Sequence, residues 1–282
     1  MKVIQLYDLE KKQGEVGLEI ECEGDRLPQH NTNLWRSELD SSLKKAGSFE
    51  YVLNNPLKRV EIPFALSELE SAIKKNKGTI DESVRAGVHV HLNVQELSII
   101  QVFNLTVTYM ILENRLVSYC GENRKGNLFC LRTSDAKYLS WMLLNAIKSK
   151  NITSLYTDNI RYASINFKAL RQYGSIEFRA MRSTPNFAAI SLWVDMLCKV
   201  KDYSVSVEHP EAIAYHFSEL GPSNFVKHVL GNFDVFERND EFVTMLRDGV
   251  NNAQDIAFAV NWNTYCKDSI NPFMGKAKGG FR

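Results

Sequence analysis

The feature that most limits what this chain can fold into is a two-residue alternation recurring through its first two-thirds. In GLEIECEG (17–24), Leu18, Ile20 and Cys22 take one side of an extended strand and Glu19, Glu21 and Glu23 the other. GVHVHLNV (87–94) sets Val88, Val90, Leu92 and Val94 against His89, His91 and Asn93, and SIEFRAM (175–181) sets Ile176 and Phe178 against Glu177 and Arg179. FEYVL (49–53) opposes Glu50 to Phe49 and Tyr51, and RYASINF (161–167) groups Asn166 with Ser164 and Tyr162. RVEI (59–62) reads as one more short strand. Each strand offers one apolar face to a core and keeps a polar face away from it.

Between these strands the period is helical. FALSELESAIKKNKG (64–78) ends on Lys-Asn-Lys-Gly, as a helix should. QELSIIQVFNLTVTYMILENRLVSYC (95–120) is apolar nearly all round, which predicts packing on both sides. A further helix is expected over about 135–149, and KALRQYG joins the last two strands in hairpin fashion. Beyond residue 186 helices are predicted near 187–203, 210–230 and 239–260, opened by Asn186, His209-Pro210 and Asn239-Asp240. The glycine- and lysine-containing tail lacks apolar content and is expected to fray. Strands interleaved with helices, then a run of helices, give an α+β fold whose antiparallel sheet is covered on one side.

The uncovered face is unusual in its charge. Like charges two residues apart on a strand stand roughly 6–7 Å from each other. In water each such pair costs about 0.6 kcal/mol, but in a cleft of effective dielectric near 20 it costs roughly 2.5 kcal/mol. Two readings of Glu19, Glu21, Glu50, Glu177, His89, His91 and Arg179 therefore stand on the residues alone. The face is solvated, with the glutamates as ordinary surface, or a divalent cation lies among them. Carboxylates with a single imidazole suit a hard ion such as Mg²⁺ or Mn²⁺ better than zinc.

Composition narrows the rest. The 282 residues are 44% hydrophobic and 24% charged, with a net charge of +1, which gives no global electrostatic case for nucleic acid or an anionic membrane. The five cysteines (22, 120, 130, 198 and 266) are scattered without a C-x-x-C pair, against a disulfide framework or a zinc ribbon. No apolar run approaches a membrane span and MKVIQLYDLEKK is too short in apolar content for a signal peptide, so a cytoplasmic protein is expected. The G-x-x-x-x-G-K-[ST], G-x-G-x-x-G and G-x-S-x-G signatures are missing.

The order of motifs carries a resemblance. Glu19-x-Glu21, then Trp35…Asp40-Ser41-Ser42…Phe49-Glu50-Tyr51-Val52, then Gly87-x-His89-x-His91, Ile165-Asn166 and Ile176-Glu177-Phe178-Arg179 resemble the amidoligase family. That family is related to glutamine synthetase and glutamate–cysteine ligase, and several members are found in bacteriophages and their hosts. The resemblance covers roughly residues 15–182 and implies a curved antiparallel sheet of about six strands with helices on its convex face. Its concave face would bind ATP and two or three divalent ions, Mg²⁺ or Mn²⁺. Such enzymes activate a carboxylate as an acyl phosphate, which an amine then attacks to form an amide.

Carried over position by position, the resemblance makes Glu19, Glu21 and Glu50 metal ligands. His91 and Glu177 would ligate the ion nearest the β- and γ-phosphates, and Arg179 would face the transferring phosphoryl group, with His89 and Asn166 beside the nucleotide. Asp40 would lie near the metal or the incoming amine, in an Asp-Ser-Ser where the family more often has Asp-Gly-Ser. The implied organisation is a single catalytic domain over 1–282, with a sheet core over about 15–182, a mostly helical part over about 187–270 and a frayed tail at 271–282. The C-terminal helices match nothing in the family pattern. Partners would be a carboxylate and an amine substrate, with no membrane or nucleic acid and the oligomeric state left open. A phage source would place the protein in the host cytoplasm.

Rival readings use the same residues. A metal-dependent hydrolase or nuclease would need no ATP, and Arg179 beside Glu177 speaks for a nucleotide phosphate instead. A small-molecule phosphotransferase would make no amide. A non-catalytic binding module would lack nucleotide and metal binding altogether.

Overall fold

The computed structural model describes residues 1–155, 162–232 and 240–267. Six strands carry the alternation: β1 (Val16–Cys22), β2 (Trp35–Glu38), β3 (Phe49–Leu53), β4 (Gly87–Asn93), β5 (Ile165–Asn166) and β6 (Ser175–Arg182). They form one antiparallel sheet in the order β2-β3-β1-β4-β6-β5. The apolar residues of each strand behave as one face: Leu18, Ile20, Val88, Val90, Leu92, Ile176 and Phe178 are all buried in a continuous core.

That core is closed on one face of the sheet by helices, chiefly those over Ile99–Cys120 and Phe187–Ser206, of the nine among the described residues. α1 (Val3–Tyr7), α2 (Ile62–Lys75), α3 (Ile99–Cys120), α4 (Lys137–Ser149) and α5 (Lys168–Tyr173) lie between or before the strands. α6 (Phe187–Ser206), α7 (Pro210–Leu230), α8 (Asp240–Ala257) and α9 (Trp262–Lys267) follow them. α3 packs on β6 and α6 on β4, while α7 and α8 close over the far side of α3. This double covering is what the all-round apolar pattern of residues 99–120 demands. Two of its hydroxyls are satisfied within the helix: Thr106 and Thr108 donate to the carbonyls of Val102 and Asn104, each at 2.8 Å. α8 crosses α3 so closely that a Cβ at Gly249 would lie 2.1 Å from the carbonyl oxygen of Ile111, so only glycine fits there. Among the described residues no helix is long and apolar enough to cross a membrane.

Several local expectations need correction. RVEI is not a strand: Arg59–Glu61 forms a 3-10 turn and Ile62 opens α2, whose first turn holds Pro63. Of RYASINF only Ile165 and Asn166 pair as a strand, and residue 161 lies outside the described residues. KALRQYG is a short helix, α5, built of strong helix formers and stopped by Gly174 in the left-handed region at φ 66°. Ser164 does not share the open face with Asn166. It is fully buried and its hydroxyl donates to the buried carboxylate of Glu113 on α3, which also accepts the Thr133 N–H. Strand β2 and helices α1 and α9 were not anticipated. Asn239, at the start of the expected last helix, and the tail 271–282 lie outside the described residues.

Candidate active site

Directly opposed residues on antiparallel strands point to the same face, and the sheet's register stacks the polar residues in rows. Glu21 pairs with Glu50, and Glu50 with Glu38 on the other side. Glu19 pairs with His89. His91 pairs with Glu177, which pairs in turn with Asn166. The open face of five strands therefore delivers Glu19, Glu21, Glu50, His89, His91, Asn166 and Glu177 to one area, with Arg179 beside them. Glu23, the third glutamate of the opening stretch, is diverted: its carboxylate accepts the Lys44 N–H at 2.6 Å and the Ser83 hydroxyl, pinning a loop.

Three clusters have ligand atoms all within 4.8 Å of one another: Glu19, His91 and Glu177; Glu19, Glu50 and His89; Glu21, Asp40 and Glu50. Asp40 comes from the loop after β2, where both of its oxygens accept from Ser42, the backbone N–H at 2.8 Å and the hydroxyl at 2.8 Å. Each cluster offers carboxylate oxygens and at most one imidazole, a donor set that fits a hard divalent cation.

The histidines bind the clusters together. His89 Nδ1 lies 3.3 Å from Glu19 and 3.6 Å from Glu177, while its Nε2 lies 3.9 Å from Glu21. His91 Nε2 stands 3.2 Å from Glu19 without the alignment of a full hydrogen bond. Arg179 Nη1 donates to Glu177 and lies 3.4 Å from His89 Nδ1. Asn166 Nδ2 donates to the other oxygen of Glu177 at 2.6 Å, fixing the plane of that carboxylate.

These contacts divide the carboxylates into two kinds. Burial alone would raise Glu19, but the contacts with and charges of His89 and His91 outweigh it and hold its carboxyl well below the ordinary range. Burial is likewise overcome at Glu177 by Arg179 and the histidines, which lower it. At Glu21 burial wins over His89 and the Gly87 N–H, donated at 2.7 Å, and the carboxyl is raised. At Glu50 burial, then Glu19, Glu21 and Asp40, push the carboxyl up to about 8. His91 is raised because Glu19, and to a lesser extent Glu177, outweigh its burial. The self-repulsion centred on Glu50 is what a bound cation would relieve.

Two cavities meet at Glu19 and His91. The smaller, of about 250 Å³, is walled by Asn54, Asn93 and Ser175, with Lys12 and Arg36. The larger, of about 560 Å³, is walled by Asp40, Arg85, Arg124, Phe129, Lys168 and Arg179. Arg85, Arg124, Phe129 and Lys168 were missed in the sequence because, apart from the first residue of α5, they come from loops and a 3-10 turn where no periodicity marks a facing side. The four buried cysteines 22, 120, 130 and 198 are free thiols on the helix side or in the loops, and none falls in the clusters.

A family model described as "Putative amidoligase enzyme" matches residues 25–200. The match takes in Asp40, Glu50, His89, His91, Asn166, Glu177 and Arg179, and it begins after Glu19 and Glu21. No curated protein matches the chain.

Proposed function

Because the chain belongs to the amidoligase family, we propose that it is a carboxylate–amine ligase, one that uses ATP and Mg²⁺ to activate an acid as an acyl phosphate. An amine then attacks the acyl carbon, the amide bond forms, and ADP and phosphate leave. The observation that carries this reading is the convergence of Glu19, Glu21, Glu50, Glu177, Asp40 and the two histidines into clusters of hard-ion donors on the open face.

Glu19, Glu50 and His89 would hold one cation, Glu19, His91 and Glu177 another, and Glu21, Asp40 and Glu50 a third. Bound there, a divalent ion supplies charge neutralisation at phosphate oxygens. The chain's own groups do the rest. Asn166 and Arg179 hold Glu177 in one orientation, and Arg179 keeps its remaining guanidinium donors for oxygens that gain charge during transfer. Asp40, rigid in its turn, offers negative charge to an incoming ammonium. The larger cavity, with its cations and the Phe129 ring, suits a nucleotide. The smaller, across Glu19 and His91, suits the acid. We take the sheet and the helices behind it as a single catalytic unit.

The test is incubation of the purified chain with ATP, Mg²⁺ and pools of carboxylic acids and amines, followed by mass spectrometry. New amides that need both ATP and Mg²⁺ support the proposal. Consumption of ATP with a phosphorylated small molecule and no amide would replace it with a phosphotransferase.

A further inference from the structure

Among the described residues Arg124 is the one lysine or arginine that is buried, at 1% exposure. Two of its donors are explained by the fold. β6 bulges opposite His89, between the pairs Val88–Met181 and Val90–Phe178. There Arg124 Nη2 donates to the carbonyl of Arg179 at 2.7 Å and Nε to that of Ala180 at 3.0 Å. Nη1 is not explained. It is buried and makes no well-aligned hydrogen bond, with the Cys130 thiol beside the guanidinium, in a side chain that walls the larger cavity together with Glu21, Asp40 and Arg179.

Burying a guanidinium without a counter-ion is strongly unfavourable, and no carboxylate comes within ion-pair distance of Arg124 among the described residues. The neighbouring Arg179 differs, since Glu177 already engages it. The planar fork of Arg124 has two of its five N–H donors fixed on carbonyls, a geometry that holds the remaining donors in place at no further cost in rotamer freedom.

We propose that Arg124 is an anion receptor whose guanidinium donates to a phosphoryl oxygen bound in the larger cavity, separately from Arg179. The inference rests on the ligase reading only for where the phosphoryl group comes from, the nucleotide or the phosphate it releases. Binding itself needs no turnover, so loss of the ligase reading would leave it standing.

The test uses the full chain as wild type, Arg124→Met and Gly87→Ala. A Cβ at Gly87 would lie 3.1 Å from Arg124 Nη2 and crowd the guanidinium without removing its charge. Orthophosphate binding is measured by calorimetry and by the rise in melting temperature over each variant's own baseline, which a purely structural arginine would leave unchanged. The wild type binds orthophosphate; Arg124→Met weakens it about 10- to 100-fold, and Gly87→Ala weakens it less. A parallel loss with a non-hydrolysable ATP analogue assigns the oxygen to the nucleotide, and retained analogue affinity assigns it to released phosphate. A wild type that binds no orthophosphate, or a folded Arg124→Met that binds it as tightly as wild type, overturns the proposal. Should Arg124→Met fail to fold, unchanged affinity in Gly87→Ala does so.

Discussion

Replacing Glu50 with glutamine should make the metal-free protein more stable at pH 8. Glu50 faces Glu21 across the β1–β3 pair and shares one cluster with Glu21 and Asp40 and another with Glu19 and His89. A rise from 4.5 to about 8 corresponds, for a fully buried group, to a penalty on the ionised form of about 5 kcal/mol. Glu50 is only half-buried, so solvent screening brings this to about 1–2 kcal/mol. The sign follows from proton counts. Between pH 4.5 and about 8 the folded state keeps a proton that the unfolded state has released, so stability falls as pH rises through that window. Glu21, His91 and Glu113 are also raised and act in the same direction. Glu19 and Glu177 are lowered, and the stability they add is lost only as pH falls below that window.

A pH profile alone therefore cannot isolate Glu50, but the variant can. Melting in EDTA should give Glu50→Gln an advantage of about 2–6 °C over wild type at pH 8, shrinking to about 1 °C or less at pH 5. Adding Mg²⁺ with a non-hydrolysable ATP analogue should raise the wild type by more than Glu50→Gln, which keeps the Glu19–His91–Glu177 cluster but loses a carboxylate from the other two. Equal melting of the two proteins at pH 8 without metal would refute the reasoning, because the predicted self-repulsion would not exist.

Arg179→Lys should fold and bind nucleotide yet lose on the order of 10²–10³ in turnover, measured as single-turnover ADP formation, since lysine keeps the charge and loses the fork. A near-wild-type rate would make the Glu177–Arg179 contact structural only. Gly249→Ala should destabilise the chain by about 2 kcal/mol or more in urea denaturation, because its Cβ meets the α3 backbone at Ile111; an unchanged midpoint would mean α8 shifts freely. Cys22→Ala should leave turnover intact, since burial pushes this thiol up to about 12 on the helix side of β1; loss of activity in the folded variant would point to thiol chemistry.

The open face was legible in the sequence because period two fixes which side chains share a side. Once β1, β3, β4 and β6 are strands, Glu19, Glu21, Glu50, His89, His91 and Glu177 must lie together if the strands are neighbours. α3 was legible for a similar reason, its all-round apolar pattern requiring cover on both sides. What was illegible depends on longer-range geometry. β2 buries only Trp35 along its four residues, so it shows no alternation. β5 is two residues long and its pairing is set by β6. Ser164 turns to Glu113 although its spacing from Asn166 puts it on the open face. Arg124 owes its position to a bulge in another strand, which nothing in ENRKG announces.

The most direct measurement of the central claim is trapping of the activated acid. Wild-type chain is mixed with ATP, Mg²⁺, hydroxylamine and single carboxylic acids, and hydroxamate and ADP are measured together. The account predicts hydroxamate and ADP in equal amounts with a particular acid, requiring ATP and Mg²⁺ and abolished in Glu177→Gln. ADP released without hydroxamate for every acid, or hydroxamate formed equally well by Glu177→Gln, would contradict it.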